Sequence, residues 1–254
     1  MKKEKPDVPH DILSLERLLL FAWPARESET LHGWTLLTDG GFTGRANAAT
    51  PLKFDGALGA AIIDVQKHYQ SRHMRPIFRI ARGACAPIDL PEALSARGWK
   101  PSMQTLVMVA PISAALATLP DPVNVTLGAA YPDTVDAILK ETSATPAEYD
   151  ERRGLAQRTP QPRVFALTGD DAAGLCVLVE GQAGIFLMRT HPAQRRKGHA
   201  RRILAALLRW ARDNGATDAF LQVEASNAPA IALYEAAAFK TVFSYDYWRE
   251  EPSR

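Results

Sequence analysis

The chain has 254 residues, 46% of them apolar, and carries 30 Lys plus Arg against 28 Asp plus Glu. That composition supplies a core for one large or two modest units, and its near-neutral balance excludes a surface built mainly to hold nucleic acid. Cys85 and Cys176 match neither a zinc spacing nor a disulfide framework, and after Lys2 and Lys3 the apolar run 18–23 is too short for a signal sequence or a membrane span, so a metal-free cytoplasmic protein is expected.

In chain order, Arg45-Ala46-Asn47 lies on an expected strand and offers polar contacts. A helix is predicted over 57–69 and a strand over 76–81, followed by a helix leading to Gly98-Trp99. The segment 110–122 is rich in small residues and bounded by prolines, so it reads as a connection, with a boundary near residue 120. Beyond it the pattern predicts a strand over 123–127, helices over 133–141 and 146–157, strands over 163–167 and 175–179, and a turn at 181–184. A strand over 185–189 then feeds a long helix whose apolar face is Ala200, Ile203, Leu204, Leu207, Leu208 and Ala211, stopped by Asn214-Gly215. A strand over 220–223, a helix capped by Asn227 with Pro229 in its first turn, and a strand over 241–248 complete the chain. A strand, long helix, strand unit makes its two strands parallel.

The two halves share a rhythm. Pro51 to Trp99 and Pro192 to Phe239 span nearly equal lengths, with helix, strand and helix between, which suggests a duplicated fold.

The loop before the long helix concentrates charge. Arg195, Arg196, Lys197, Arg201 and Arg202 crowd the helix N-terminus, where the dipole disfavours cations, so an anion belongs there. Gly198 and Ala200 would let successive backbone N–H groups turn toward one phosphate. A solvated basic turn is the plainer alternative.

Arg195-Arg196-Lys197-Gly198-His199-Ala200 resembles the Gln/Arg-x-x-Gly-x-Gly/Ala pyrophosphate loop of the GNAT superfamily of acyl-CoA-dependent N-acetyltransferases. The stretch 221–239 is similar to that family's downstream strand and helix, with Asn227, Leu233-Tyr234 and a closing Phe239; Ala238 stands where the family usually has Gly. The match covers 123–250, whereas 1–110 share only the rhythm. The resemblance implies an α/β (α+β) fold of two GNAT-like mixed β-sheet domains flanked by helices. The first, 1–120, would be degenerate and the second, 121–254, complete.

It further implies that acetyl-CoA is the co-substrate, with no metal. Met188, Arg189 and Thr190 would pair with the pantetheine arm through their backbone. Arg195, Arg196, Lys197, Gly198, His199 and Ala200 would hold the pyrophosphate, and Asn227 would meet the cofactor arm while also capping a helix. Tyr234, a core aromatic by periodicity alone, would protonate the departing thiolate. Amine attack calls for a base. One GNAT branch, the ribosomal-protein alanine acetyltransferases, uses a Glu on this strand; Gln222 takes that place here and cannot accept a proton. Glu224, two residues on and on the same strand face, is the candidate, with an exposed strand-end carboxylate as the alternative. His191 and His199 flank the loop and are expected to be solvated. The acceptor would be an amine of a small molecule or peptide, with neither nucleic acid nor membrane as partner. A non-catalytic acyl-CoA sensor is the competing reading, and acceptor identity and oligomeric state are not legible.

Overall fold

Within residues 11–250, which the computed structural model describes, eleven strands join into one mixed sheet flanked by helices. The first half supplies α1 (Ile12–Ala22), β1 (Glu27–Leu31), β2 (Trp34–Thr38), β3 (Ala49–Thr50), α2 (Leu58–Gln70), β4 (Ile77–Ala81), α3 (Leu90–Ser95), β5 (Trp99–Pro111) and α4 (Ile112–Thr118). The second supplies β6 (Thr126–Gly128), α5 (Asp133–Thr142), α6 (Pro146–Arg158), β7 (Arg163–Thr168), β8 (Ala172–Val179), β9 (Gln182–Thr190), α7 (His199–Asp213), β10 (Asp218–Glu224), α8 (Ala228–Ala236) and β11 (Lys240–Glu250). Lys2 and Lys3 lie outside the described residues. No described helix is long and apolar enough to cross a membrane.

The strand order is β1-β2-β3-β4-β11-β5-β10-β9-β8-β7-β6. Apart from β6 this order is palindromic. β3 and β4 are parallel, as are β9 and β10, and β11 and β5 lie antiparallel at the centre. The two expected sheets are thus joined, because each half lends the other a strand: β11 pairs with β4 and β5, and β5 pairs with β10 and β11. The sequence of β5 explains its place. Val107, Met108, Val109 and Ala110 are all buried, a near-continuous apolar run that suits a strand covered on both faces.

One face of the sheet carries α1, α5 and α6 over a core that runs through both halves and includes Leu15, Leu19, Ile138, Leu155, Phe186 and Tyr245. The other carries α4, α7 and α8 over Met108, Cys176, Ile185 and Leu221, with α2 and α3 over Trp34, Phe78 and Trp99. The predicted face of α7 is the observed one. Ile203, Leu204, Leu207 and Leu208 are fully buried, each contributing about 1.5–3 kcal/mol relative to exposure. A left-handed Gly198 opens that helix and Asn214, followed by Gly215 at φ +90°, closes it. On the opposite face, α1 is pinned to β4 by a buried Glu16–Arg79 ion pair, whose guanidinium stacks on Tyr245 at 3.8 Å. Burial works against the charge of Arg79, but the attraction and hydrogen bonds of Glu16, together with Tyr245 and Tyr247, outweigh it and keep the guanidinium protonated.

Several local expectations are corrected. The strand expected over 123–127 is confined to Thr126–Gly128, and β8 begins earlier than predicted, at Ala172. The turn expected at 181–184 is centred on Glu180 and Gly181, both with positive φ, so β9 starts at Gln182. The connection expected over 110–122 ends β5 and then forms α4, whose Ile112 and Ala115 are buried beside α7. Its alanines read as a linker by composition, yet Ala is the best helix former. Arg45 lies in a short 3-10 turn, Gly44–Ala46, and not on a strand.

Candidate active site

The site is built on a fault in the sheet. β9 and β10 are hydrogen-bonded only from Gln182 to Ile185 and from Asp218 to Leu221, after which they part. β10 goes on pairing with β5 as far as Glu224 and β9 with β8 as far as Thr190, so the sheet splits between β10 and β9. A bulge redirects β9: Ala173 faces Arg189 and Leu175 faces Phe186, which puts one extra residue on β9, and Leu187 takes φ 51°. Across the bulge Gly174 allows close packing, since a Cβ there would fall 2.7 Å from both Met188 Sδ and Ile203 Cγ2. Over 187–190 the side of β9 that faces β10 carries no ladder. Backbone N–H and C=O groups must be paired when they are covered, so this edge is fitted to a ligand that brings its own amides.

A cavity of about 900 Å³ runs along that edge. It is lined by Met188, Arg189 and Thr190 of β9, by Arg195, Arg196, Gly198, His199 and Ala200 of the loop, and by Asn227 and Tyr234 of α8, with Ile138, Glu141 and Thr142 of α5 opposite. Every proposed cofactor residue except Lys197 borders it. Lys197 Nζ instead donates to Gln194 Oε1 at 2.6 Å. Gly198 stands at the start of α7 with φ +79°, a conformation that glycine adopts without the Cβ penalty, and Arg196 shares the left-handed region at φ 65°. The five cations divide. Arg201 donates to Thr118 O at 2.6 Å and Arg202 to Lys197 O at 3.2 Å, whereas the side chains of Arg195 and Arg196 make no hydrogen bond or ion pair among the described residues. Two free guanidiniums beside a glycine-opened helix N-terminus fit a pyrophosphate. Among the described residues no cluster of three His, Cys, Asp or Glu is arranged to hold a metal.

His199 is buried, contrary to the solvated position expected for it. Thr168 Oγ1 lies 2.8 Å from its Nδ1, and Asp171 Oδ2 lies 3.8 Å from its Nε2. The ring thereby ties the first turn of α7 to β7. His191 is half-exposed, 3.3 Å from Glu141.

Asn227 caps α8 by accepting from Ala230 N at 3.3 Å. Two turns later Tyr234 is buried, and burial pushes its phenol up to about 12 although Arg189 and Arg45 pull the other way. It therefore stays protonated near neutrality. At the end of α8, Ala238 holds φ 61°, a left-handed position that explains why Gly is usual there.

Tyr234 also lines a second cavity of about 420 Å³, together with Met188, Arg189, Asn227 and Ala230, so the two spaces meet at that side chain. Glu224 and Gln222 border this second space. Gln222 is engaged, its Oε1 accepting from Tyr245 Oη at 2.7 Å; Glu224 is exposed, with no hydrogen bond or ion pair from its side chain among the described residues.

Sequence reasoning missed what brings the first half to this cavity. Glu151 of α6 is buried and accepts from Phe42 N at 2.9 Å, from Thr43 N and from Asn47 Nδ2 at 3.0 Å, while Asn47 Oδ1 accepts from Asp39 N and Gly41 N. An ion pair between Asp39 and Arg158 adds to this staple. Gly40 and Gly44 permit it, since a Cβ would fall 2.8 Å from Glu151 Oε2 at the first and 2.7 Å from Tyr247 Cε1 at the second. The loop 39–47 so held delivers Phe42, Thr43, Gly44 and Arg45 to the cavity wall. Its sequence signal was the run of glycines ahead of Asn47.

Comparison with known proteins agrees with this architecture. The family model described as "Probable histone acetyltransferase Rv0428c C-terminal" matches residues 10–248, and the chain belongs to that family. An "Uncharacterized N-acetyltransferase YobR" of Bacillus subtilis (strain 168) is 25% identical over 244 residues, covering 93% of this chain and 98% of that protein. Among solved structures, a GCN5-related N-acetyltransferase from Kribbella flavida has a TM-score of 0.67 at 15% identity, covering 95% of each chain. A tandem GNAT protein from the clavulanic acid biosynthesis pathway has a TM-score of 0.57 at 14% identity, covering 95% of this chain and 89% of its own. The fold is that of the GNAT superfamily, and the chain is an acetyltransferase of the GNAT type.

Proposed function

We propose that this acetyltransferase moves the acetyl group of acetyl-CoA to a primary amine of a small molecule or peptide by direct attack on the thioester. The observation that carries the reading is the parting of β9 from β10, which leaves the β9 edge free between a glycine-opened anion site and a protonated Tyr234. In this reading the backbone of Met188, Arg189 and Thr190 holds the pantetheine arm, the loop from Arg195 to Ala200 holds the pyrophosphate, and Asn227 closes the wall. The acceptor occupies the second cavity. Its neutral nitrogen attacks the thioester carbon, the tetrahedral intermediate collapses with loss of the C–S bond, and Tyr234 gives its hydroxyl proton to the departing thiolate. The proton lost by the amine goes to Glu224, directly or through one water. In support of this reading, Tyr234 is buried enough to stay protonated and Glu224 borders the second cavity.

A non-catalytic acyl-CoA sensor would not require Tyr234 at the meeting point of both cavities, and that placement favours the enzyme. We read residues 121–254 as the complete unit and 1–120 as its degenerate counterpart, in a cytoplasmic protein with no metal, nucleic acid or membrane partner. A panel of amines assayed by release of free CoA thiol, together with calorimetry giving one acetyl-CoA per chain, tests the proposal. Absence of acetyl-CoA binding would sink it.

A further inference from the structure

The second cavity is lined by four guanidiniums, Arg45, Arg152, Arg189 and Arg249, against the single carboxylate of Glu224. Two of the four have partners. Arg152 pairs with Glu148 at 2.6 Å and donates to Thr142 O, and Arg249 donates to Ser102 Oγ at 2.9 Å. The side chains of Arg45 and Arg189 have neither a hydrogen bond nor an ion pair among the described residues. They come from opposite sides of the chain's organisation: Arg189 from the free end of β9, Arg45 from the stapled loop of the first half. Arg189 is exposed to the cavity, yet the surrounding protein and the nearby Arg152 and Arg45 make its charge harder to hold, with Glu224 only partly compensating. A guanidinium does not relieve such crowding by losing its proton, and a planar fork of donors matches a carboxylate or phosphate oxygen pair. The protein also commits a buried carboxylate, Glu151, to fixing the loop that carries Arg45, and leaves Arg45 itself unpaired.

Taking the second cavity as the acceptor site of the function proposed above, we propose that the acceptor is an amine bearing an acidic group, a carboxylate or a phosphonate, whose anion is held by Arg45 and Arg189. The cavity then recognises the acid, and the amine follows to the thioester beside Tyr234. A polycationic acceptor such as a lysine-rich protein tail meets an excess of positive charge and is disfavoured.

The test compares matched acceptors on the full chain: the proteinogenic amino acids, their carboxamides, their aminophosphonate analogues and a lysine-rich peptide. Thiol release is followed in the wild type, in Arg45→Met, and in Lys53→Met as a control for loss of one cation at an exposed site outside both cavities. At least one acid should be acetylated with KM roughly tenfold or more below that of its amide, the energy of one charge-assisted contact. Arg45→Met should erase the gap by raising KM for the acid alone, while Lys53→Met preserves it. Whether the carboxylate or the phosphonate series shows the larger gap identifies the anion. Calorimetric titration of the same acids and amides, with and without CoA, reads the preference even in the absence of turnover. Equal binding of acids and amides, preference for the lysine-rich peptide, or a gap that survives Arg45→Met would overturn the proposal. Failure of acetyl-CoA to bind would instead strike the acetyltransferase reading, and the titration without CoA would still decide on the acid.

Discussion

The two ends of the sheet follow one plan and use it differently. β2, β3, α2, β4 and α3 occupy the places that β8, β9, α7, β10 and α8 occupy from the other side. Where the second half has a nine-residue strand that parts from its neighbour, the first has a two-residue strand meeting β4 at the single pair Ala49 and Phe78. Where the second half opens α7 with Gly198 and free arginines, the first opens α2 with Ala57, without a side-chain cap. The region beside that opening is filled: Phe54 stacks on Trp34 at 5.3 Å, and Trp34 meets Phe78 edge-on at 5.4 Å. A binding groove is therefore a matter of which positions stay small and which backbone stays unpaired. Large aromatics fill that space in the first half, which reaches its neighbour instead through the stapled loop 39–47 and Arg45.

The sharpest way to break the contrast is Gly198→Glu, which forces a side chain into a left-handed position and sets a carboxylate against the anion. Like-charge contact of this kind costs several kcal/mol, so acetyl-CoA affinity should fall by about 10²-fold or more, as calorimetry can measure. Unchanged affinity would remove the anion site from this loop.

Tyr234→Phe tests the other end of the groove. Turnover should drop by roughly 10², the usual scale for a lost acid, with acetyl-CoA affinity retained. Because burial holds this phenol near 12, it remains a donor until strongly alkaline pH, and loss of its proton should not limit the wild-type rate below about pH 10. An alkaline fall in kcat near neutrality that vanishes in Tyr234→Phe would contradict the raised value.

For Glu224→Gln the informative quantity is the pH profile. The rate should fall up to roughly 10²-fold near neutrality and recover as pH approaches the amine's own value, about 7.7–8.0 for an α-amine and 10.4 for a lysine. Wild-type rates below pH 7 would leave deprotonation to water or to another group.

The smallest effect on chemistry, with a visible effect on stability, belongs to Glu151→Ala. Three donors lose their acceptor at a cost of about 1–3 kcal/mol for each that stays buried, and Tm should fall by several degrees. The acceptor KM should rise while acetyl-CoA affinity holds. A shift in both would mean that the staple supports the whole site and not the acceptor wall alone.

What the sequence disclosed follows the range of the interactions involved. The loop from Arg195 to Ala200, α7 and the Asn227 cap were legible because their causes lie within a few residues: an amphipathic period, a glycine, a capping side chain. The exchange of β5 and β11 joins residues as distant as Ser102 and Tyr247, and no local pattern encodes such pairing. The bulge at Leu187 was equally silent, since the residue with positive φ is a leucine. Glu151 looked like one more charge on a polar helix, and His199 like a loop side chain, because Thr168, which buries it, lies in another strand.

The reciprocal exchange of β5 and β11 also sets the order in which the chain can be completed. β5 is synthesised before the whole second half, yet its neighbours in the sheet are β10 and β11. Neither core is sealed until β11 arrives, since it covers β4 on one side and β5 on the other. Contacts this distant make closure slow and late, as loop-closure entropy must be overcome before the pairing is gained. The arrangement works as a clasp: the groove along β9 and the wall that faces it are fastened together by the same final strand.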